Sequence, residues 1–512
     1  MRAQIGISCI ATIVLGCGTG WADPPVIKYM VPSAIAPGRA TEVSFVGSNL
    51  GAATNLWTSF AAKSENIRCA EDRAIFKISL PPNCANGLGA VRLVATNGIS
   101  DLHLLMIDRL PSMEANGTNR SAASAQELKP AVALDGACAE RAADFFKFAA
   151  RKGQRLSFEV VAQRLGSALD PLVRLLDAGG HELVFCEDTP GAGVDCRFSH
   201  RFASSGQYLL ELRDTRYDGG SQYRYRLRAG EFSLEPAPLP FHVKPEFGPP
   251  ASLLPQITEV EPNDLHPQNI SVPASIHGRF AQERDRDCFQ FDVAKGQRLL
   301  LRSRTRSLGS PCDLYLRLES AAGKKLAESP LTGPDESSVT NTFKEAETCR
   351  LMIEEAAQLD GPEFFYQVEI APFQPGFGLS VEPEKLQGAA GGTAEIKVLP
   401  ERREYDGPIT LSLEGAGHGF ALESNVITST SKTNASTVKI KLPADLQPGR
   451  LVNFKIIGHA KIDGQEFAAT ASTRPALRKL FPHLPWPPAE LDGWIALGVT
   501  PAAPKKADAE KN

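Results

Sequence analysis

The forty residues from Asp144 to Leu183 align without a gap onto Asp287 to Leu326, at an offset of 143, and 17 of the 40 positions are identical. Chance would give about two or three at average residue usage. A chain that repeats itself in this way folds the same module twice. The shared residues say what kind of module it is. Phe146 and Phe148, like Phe289 and Phe291, place two rings on one face of an extended strand. Lys152-Gly153-Gln154 and Lys295-Gly296-Gln297 supply a turn, after which alternation resumes at Leu156, Phe158 and Val160. Leu165-Gly166-Ser167 matches Leu308-Gly309-Ser310, and Asp170 matches Asp313. A weaker match continues through Tyr208 to Leu212 and Arg350 to Glu354. Nearly all of these positions read as core or turn, so two β-sandwiches stand in tandem.

The chain has 512 residues, too many for one sandwich core. Residues 23–109 alternate apolar and polar along Thr41 to Val46 and Val91 to Ala95, with glycines between, as an immunoglobulin-like sandwich does. The two copies occupy residues 113–232 and 257–373. Residues 233–256 carry prolines 236, 238, 240, 245, 249, 250 and 255, the composition of an extended, semi-rigid linker. Few contacts are therefore expected between the copies. Residues 378–473 read as a second immunoglobulin-like domain, with aliphatic residues inward and lysines outward along Val438 to Leu442. Residues 474–512 are Pro-rich, end in Lys505, Lys506 and Lys511, and read as a largely disordered tail. The expected class is all-β, four sandwiches in a row.

Residues 1–22 read as a signal peptide: Arg2, an apolar stretch from Ile5 to Gly16, and small residues Gly20 and Ala22 before Asp23. The rival is a lipobox, Val14-Leu15-Gly16-Cys17, with Cys17 lipidated. No run of 18 apolar residues follows, so no transmembrane segment is expected. Eight cysteines remain and none forms a CxxC, which disfavours a thiolate zinc site. Outside the cytoplasm the default is disulfides. Cys186 and Cys196 flank a glycine-rich turn, so their strands are expected side by side. Cys69–Cys84 and Cys312–Cys349 are the next pairs, and Cys138 and Cys288 have no argued partner.

Catalytic patterns are missing. There is no G-x-S-x-G or H-E-x-x-H, and the nine histidines are scattered. Net charge is -4 with no basic stripe, which argues against a nucleic-acid partner. The one site-like group is acidic. Glu259 and Glu261 face the same side of an extended chain, Asn263 and Asp264 bend it, and Asp285 and Asp287 repeat the pairing. Calcium takes six to eight hard oxygen ligands in irregular geometry, which suits such a supply. A solvated acidic turn would look the same.

Glu259-Val260-Glu261-Pro262-Asn263-Asp264, the following Asp285-x-Asp287-x-Phe289-x-Phe291, Lys295-Gly296-Gln297, Leu308-Gly309-Ser310 and Asp313 resemble the bacterial pre-peptidase C-terminal domain. In the first copy the resemblance rests on Asp144 to Phe148, Leu165 to Pro171 and Tyr208 to Leu212. It covers about 230 residues across both copies. It implies two small jelly-roll-like sandwiches in an exported bacterial protein, and calcium at Glu259, Glu261, Asn263, Asp264, Asp285 and Asp287 of the second. On the same frame the first copy keeps Glu114, Asn116 and Asp144 but has Ala142 in place of Asp285, so calcium is expected in the second copy only.

The leading reading is an exported non-catalytic protein that binds an extracellular or cell-envelope protein or polysaccharide, or supports an assembly there. Trp57, Trp486 and Trp494 are candidate contact residues, Trp57 more in keeping with packing. The alternative is an accessory or processed component of a secreted peptidase system. A hydrolase with an unrecognised site is a third, weaker reading.

Overall fold

The computed structural model describes residues 23–234, 239–244, 253–330, 335–428, 435–484 and 486–502. The expected signal sequence, residues 1–22, and Cys17 within it lie outside these residues. The fold is all-β, built of sandwiches. The N-terminal unit packs a sheet of Val26–Val31, Ala40–Ser48, Arg73–Ser79 and Lys63–Ala70 on a second sheet of Ala34–Ile35, His103–Ile107, Gly87–Ala95 and Ala53–Thr58. Val43, Phe45, Phe76, Leu93 and Leu105 fill the space between them.

The two repeats have one topology. In the first, a sheet ordered Ser112–Glu114, Val132–Ala137, Arg224–Gly230, Arg155–Val161, Arg197–Arg201 faces one ordered Gln126–Glu127, Asp144–Ala150, Gly206–Asp214, Pro171–Leu176, Glu182–Cys186. The second reproduces both orders, with Arg286–Val293 beside Glu347–Glu355 and Ala274–Arg279 beside Phe365–Pro372. Phe146, Phe148, Phe289 and Phe291 all point inward and are buried, while Lys147 and Asp292 between or beside them are exposed. Each such ring contributes about 1.5–3 kcal/mol by leaving water. Gly153 and Gly296 sit at φ +80° and +79° in the turns that follow, a conformation glycine adopts without strain.

The C-terminal segment corrects the sequence expectation. Residues 474–500 are not a loose tail. A helix, Arg474–Leu480, is followed by the strand Ile495–Thr500, which lies parallel to Lys385–Ala389 and antiparallel to Leu451–Ile462. Every residue of that strand is buried. Pro475 falls in the first helical turn, where a missing N–H costs nothing. The Asp492 carboxylate accepts from the N–H groups of Thr473 and Arg474 at 2.8 and 3.0 Å.

The linker is also docked, not free. Leu88 donates to Pro240 O and receives from His242 N, and Lys244 N donates to Ser59 O. Phe241 and Leu239 pack with Leu88, Met106 and Val161. Residues 239–244 of the proline-rich segment thus run along the N-terminal sandwich.

The modules touch in a closed circuit. Between the N-terminal unit and the first repeat, Asp108 meets Arg226 at 3.0 Å and Arg228 at 3.1 Å, and these arginines also pair with Asp135 and Glu159. Arg226 is fully buried. Arg197 joins the first repeat to Glu363 of the second at 2.7 Å. Arg298 joins the second repeat to Glu404 of the last unit at 2.6 Å. The last unit returns to the first through the buried Arg92–Glu384 pair and through Leu477, Phe481 and Leu491 packed on Ala90, Leu102 and Leu104. Independent beads on a linker are not what the chain builds.

All eight cysteines among the described residues are free thiols. Register rules out two of the expected pairs. Leu314 lies opposite Glu355 and Ser320 opposite Cys349, so Cys312 and Cys349 sit at opposite ends of one strand pair, roughly 25 Å apart. Cys69 lies opposite Ala74, next to the turn, whereas Cys84 follows Ser79 at the far end of that hairpin. Cys186 and Cys196 are close, but their strands belong to opposite sheets and do not run side by side.

Candidate metal centre

The acidic segment enters the second repeat along an outer edge. Gln256–Thr258 pairs in parallel with Ala274–Arg279, and the Gln268 amide clamps the chain beyond it, accepting from Val260 N and donating to Thr258 O. This register lays Glu259 beside Gly278. A Cβ at Gly278 would come within 2.3 Å of both Glu259 Oε2 and Tyr366 Oη, so only glycine lets the two approach. The chain then turns at Pro262 and brings Asp264 back to the start of strand Arg286–Val293, where Arg286 N donates to its carboxylate at 3.4 Å.

Five of the six expected residues converge. Carboxylate oxygens of Glu259, Glu261 and Asp287 lie within 4.8 Å of one another, and so do those of Glu261, Asp264 and Asp285. Glu261 is common to both groups. Asn263 is the exception: its amide oxygen accepts from Cys288 N at 2.8 Å, and its amide nitrogen donates to Glu261 at 3.2 Å. It holds the turn and steadies Glu261, with its oxygen engaged by Cys288 N.

Charge balance sets this group apart from a solvated turn. Asp285 and Asp287 are buried, and each has one oxygen, Oδ1, buried without any hydrogen-bond donor. Their other oxygens are taken by Ala281 N at 2.7 Å and by the Tyr366 hydroxyl at 2.6 Å. Burial, then the Glu259 charge, pushes the Asp287 carboxyl up to about 9, against the Tyr366 hydrogen bond. Burial also raises Glu259, with Glu261 adding repulsion. Buried orphan oxygens in a ring of like charge fit a hard divalent cation.

The first repeat shows the same frame with a different solution, and it corrects the sequence alignment. There Gln126 makes the clamp, accepting from Asn116 N and donating to Glu114 O. Glu114 therefore occupies the place of Thr258, and Asn116 that of Val260. The position of Glu259 holds Ala115, and counting on, those of Glu261 and Asp264 hold Gly117 and Arg120. Of the six, only Asn119, at the place of Asn263, and Asp144, at the place of Asp287, survive. The Asp144 oxygens are met by the Arg120 guanidinium and by the Tyr225 hydroxyl at 2.6 Å. Where the second repeat gathers carboxylates, the first supplies a fixed positive charge. Sequence reasoning missed Arg120 and the paired tyrosines, because the connection to the next strand differs by one residue between copies.

The other singled-out residues have partners within the chain. Thr215 donates to Asp170 at 2.9 Å inside its loop. Trp57 is half-buried within two apolar clusters, and Trp486 and Trp494 lie under Arg474 at 4.2 Å and Lys455 at 4.4 Å.

No protein-family model matches the chain, and no curated protein matches it in sequence. Among solved structures, the pre-peptidase C-terminal domain of collagenase from Bacillus anthracis is 13% identical, covering 22% of this chain and 99% of that one at a TM-score of 0.18. A Bacteroides ovatus protein of a mixed-linkage glucan utilization locus, SGBP-B, solved with a heptasaccharide, is 11% identical over 68% of this chain and 75% of that one, TM-score 0.17. Surface layer protein SbsC, domains 1–6, is 9% identical over 94% and 55%, TM-score 0.15.

Proposed function

We propose that this chain is an exported, non-catalytic binding or assembly protein whose second repeat holds a calcium ion. The leader-like residues 1–22 support export, and no helix among the described residues is long and apolar enough to cross a membrane. The non-catalytic reading rests on the sequence, which carries neither G-x-S-x-G nor H-E-x-x-H. A protein or polysaccharide outside the cytoplasm is the partner class we favour. The calcium reading is carried by one observation: the aspartate position that Arg120 neutralises in the first repeat is ringed by unneutralised carboxylates in the second. Glu259, Glu261, Asp264, Asp285 and Asp287 would hold the ion, and Asn263 and Tyr366 would position them.

A ligand that binds only the folded state raises its stability by mass action. Millimolar calcium is therefore expected to raise the melting temperature of the full mature chain. Changing Asp285 and Asp287 together to Asn is expected to remove the response. A melting curve that calcium leaves unmoved would sink the calcium reading.

A further inference from the structure

Among the described residues, Cys186 and Cys196 are two thiols that the fold brings into contact. Cys186 ends strand Glu182–Cys186 at the edge of one sheet of the first repeat, and Cys196 precedes Arg197–Arg201 at the edge of the other. The loop between them crosses the sandwich. The Cys196 thiol reaches the Cys186 carbonyl oxygen at 3.3 Å. Cys196 is buried and its thiol is anchored by Glu187 O at 2.7 Å and Pro171 O at 2.8 Å. Cys186 is only partly buried, with Thr189 Oγ1 at 3.6 Å.

The second repeat shows what these positions do when they are not cysteines. Cys186 lies opposite Val173 in its sheet, and Ser329 takes the matching place by Leu316, accepting from Leu316 N at 2.9 Å. Cys196 donates to Pro171 O, and Ser337 donates to the matching Leu314 O at 3.1 Å. Hydroxyls suffice to close the crossing in the second repeat. The first repeat has put sulfur at both positions at once, which a need for hydrogen bonds does not explain.

We propose that Cys186 and Cys196 form a thiol–disulfide couple that fastens the two sheets of the first repeat, with Cys186 as the exchanging thiol. The oxidant is a disulfide of the surrounding medium. The Cys186 thiolate attacks one of its sulfurs and expels a thiolate, leaving a mixed disulfide on Cys186. Cys196 then loses its proton and attacks Cys186 Sγ, expelling the second thiolate. Two protein thiols are oxidised, one external disulfide is reduced by two electrons, and the two protons end on the released thiols. The roles follow from exposure and electrostatics. The adjacent Cys196 thiol outweighs burial and draws the Cys186 thiol down to about 6, whereas burial raises Cys196. The bond would also fix Arg197, the next residue, whose guanidinium reaches Pro190 O and Glu363 of the second repeat.

The test uses the full mature chain equilibrated with oxidised or reduced glutathione, acid-quenched, alkylated and mapped by mass spectrometry. Oxidation is expected to yield one cross-linked peptide joining Cys186 to Cys196, and to raise the melting temperature. The double variant C186S/C196S is expected to fold, since serines fill these places in the second repeat, and to show no shift between the two buffers. In the reduced protein, alkylation of Cys186 is expected to be half-maximal near pH 6, at the value its surroundings impose (about 6). Recovery of both cysteines alkylated after oxidation, or linkage of either to another cysteine, overturns the couple. A midpoint in the ordinary thiol range overturns the role given to Cys186.

Discussion

Asp144 and Asp287 stand at one position of one fold and meet opposite surroundings. Asp144 has a guanidinium and a tyrosine hydroxyl, and Asp287 has the same hydroxyl and a ring of carboxylates. Opposite responses to substitution follow. Arg120→Ala leaves a buried carboxylate with half its partners gone. Breaking a buried pair costs about 3–5 kcal/mol, and the partly exposed Arg120 brings this nearer to about 2 kcal/mol. Burial and the Glu259 charge keep the metal-free Asp287 carboxyl protonated near neutral pH, and Asp287→Asn is neutral there without that cost. Without calcium, D287N is expected to melt no lower than the parent chain. With calcium it should melt lower, because a ligand is lost. Calorimetry of both variants with and without chelator checks the crossing. A metal-free D287N that melts well below its parent would show the carboxylate to be stabilised by protein groups, not by an ion.

At the scale of strands and turns, what was legible depended on how far the information had to travel. The Phe-x-Phe strands and the Lys-Gly-Gln turns could be read because alternation and glycine act within a few residues. The acidic segment could be placed near strand Arg286–Val293, but not to the residue. Its register is set by Gln268 in the second repeat and Gln126 in the first, and their intervals to the next strand differ by one. A slip of one residue turns every side chain to the other face, which is why Glu114 and Asn116 aligned with donors of the second repeat and do not occupy their places. Two of the three expected cysteine pairs, Cys69–Cys84 and Cys312–Cys349, also fail on register. Cys312 and Cys349 both face the core, but facing inward says nothing about which end of the strand pair each occupies. The C-terminal strand was lost behind its neighbours. Ile495-Ala496-Leu497-Gly498-Val499 is the short apolar run of a strand buried on both faces, yet Pro482, Pro485, Pro487 and Pro488 ahead of it gave the stretch the composition of a tail.

For the whole molecule, that strand is what makes the chain a circuit. Its parallel partner Lys385–Ala389 lies next to Glu384, which pairs with Arg92, and Gln387 of that strand bonds both Ile99 N and Ile99 O of the N-terminal unit. Ala496 packs on Val94 and Ile99, and the helix ahead of it covers Ala90, Leu102 and Leu104. Ending the chain at Ser472 would therefore strip two things at once. Within the last unit, Leu451–Ile462 and Lys385–Ala389 would lose the strand between them, leaving unpaired backbone edges and exposing Phe454 and Val452 beside the core. Between units, the apolar cover of the N-terminal sandwich would go, and with it much of the contact that holds Glu384 against Arg92. A chain truncated after Ser472 is expected to lose cooperative melting of the last unit, to bind a hydrophobic dye and to aggregate through its open edges. A chain ending after Pro501 keeps the strand and is expected to behave as the parent does. Dye binding, size-exclusion chromatography and calorimetry of the two truncations decide between this strand and a dispensable tail. Equal melting and equal solubility of the pair would return the segment to the status that its prolines suggested.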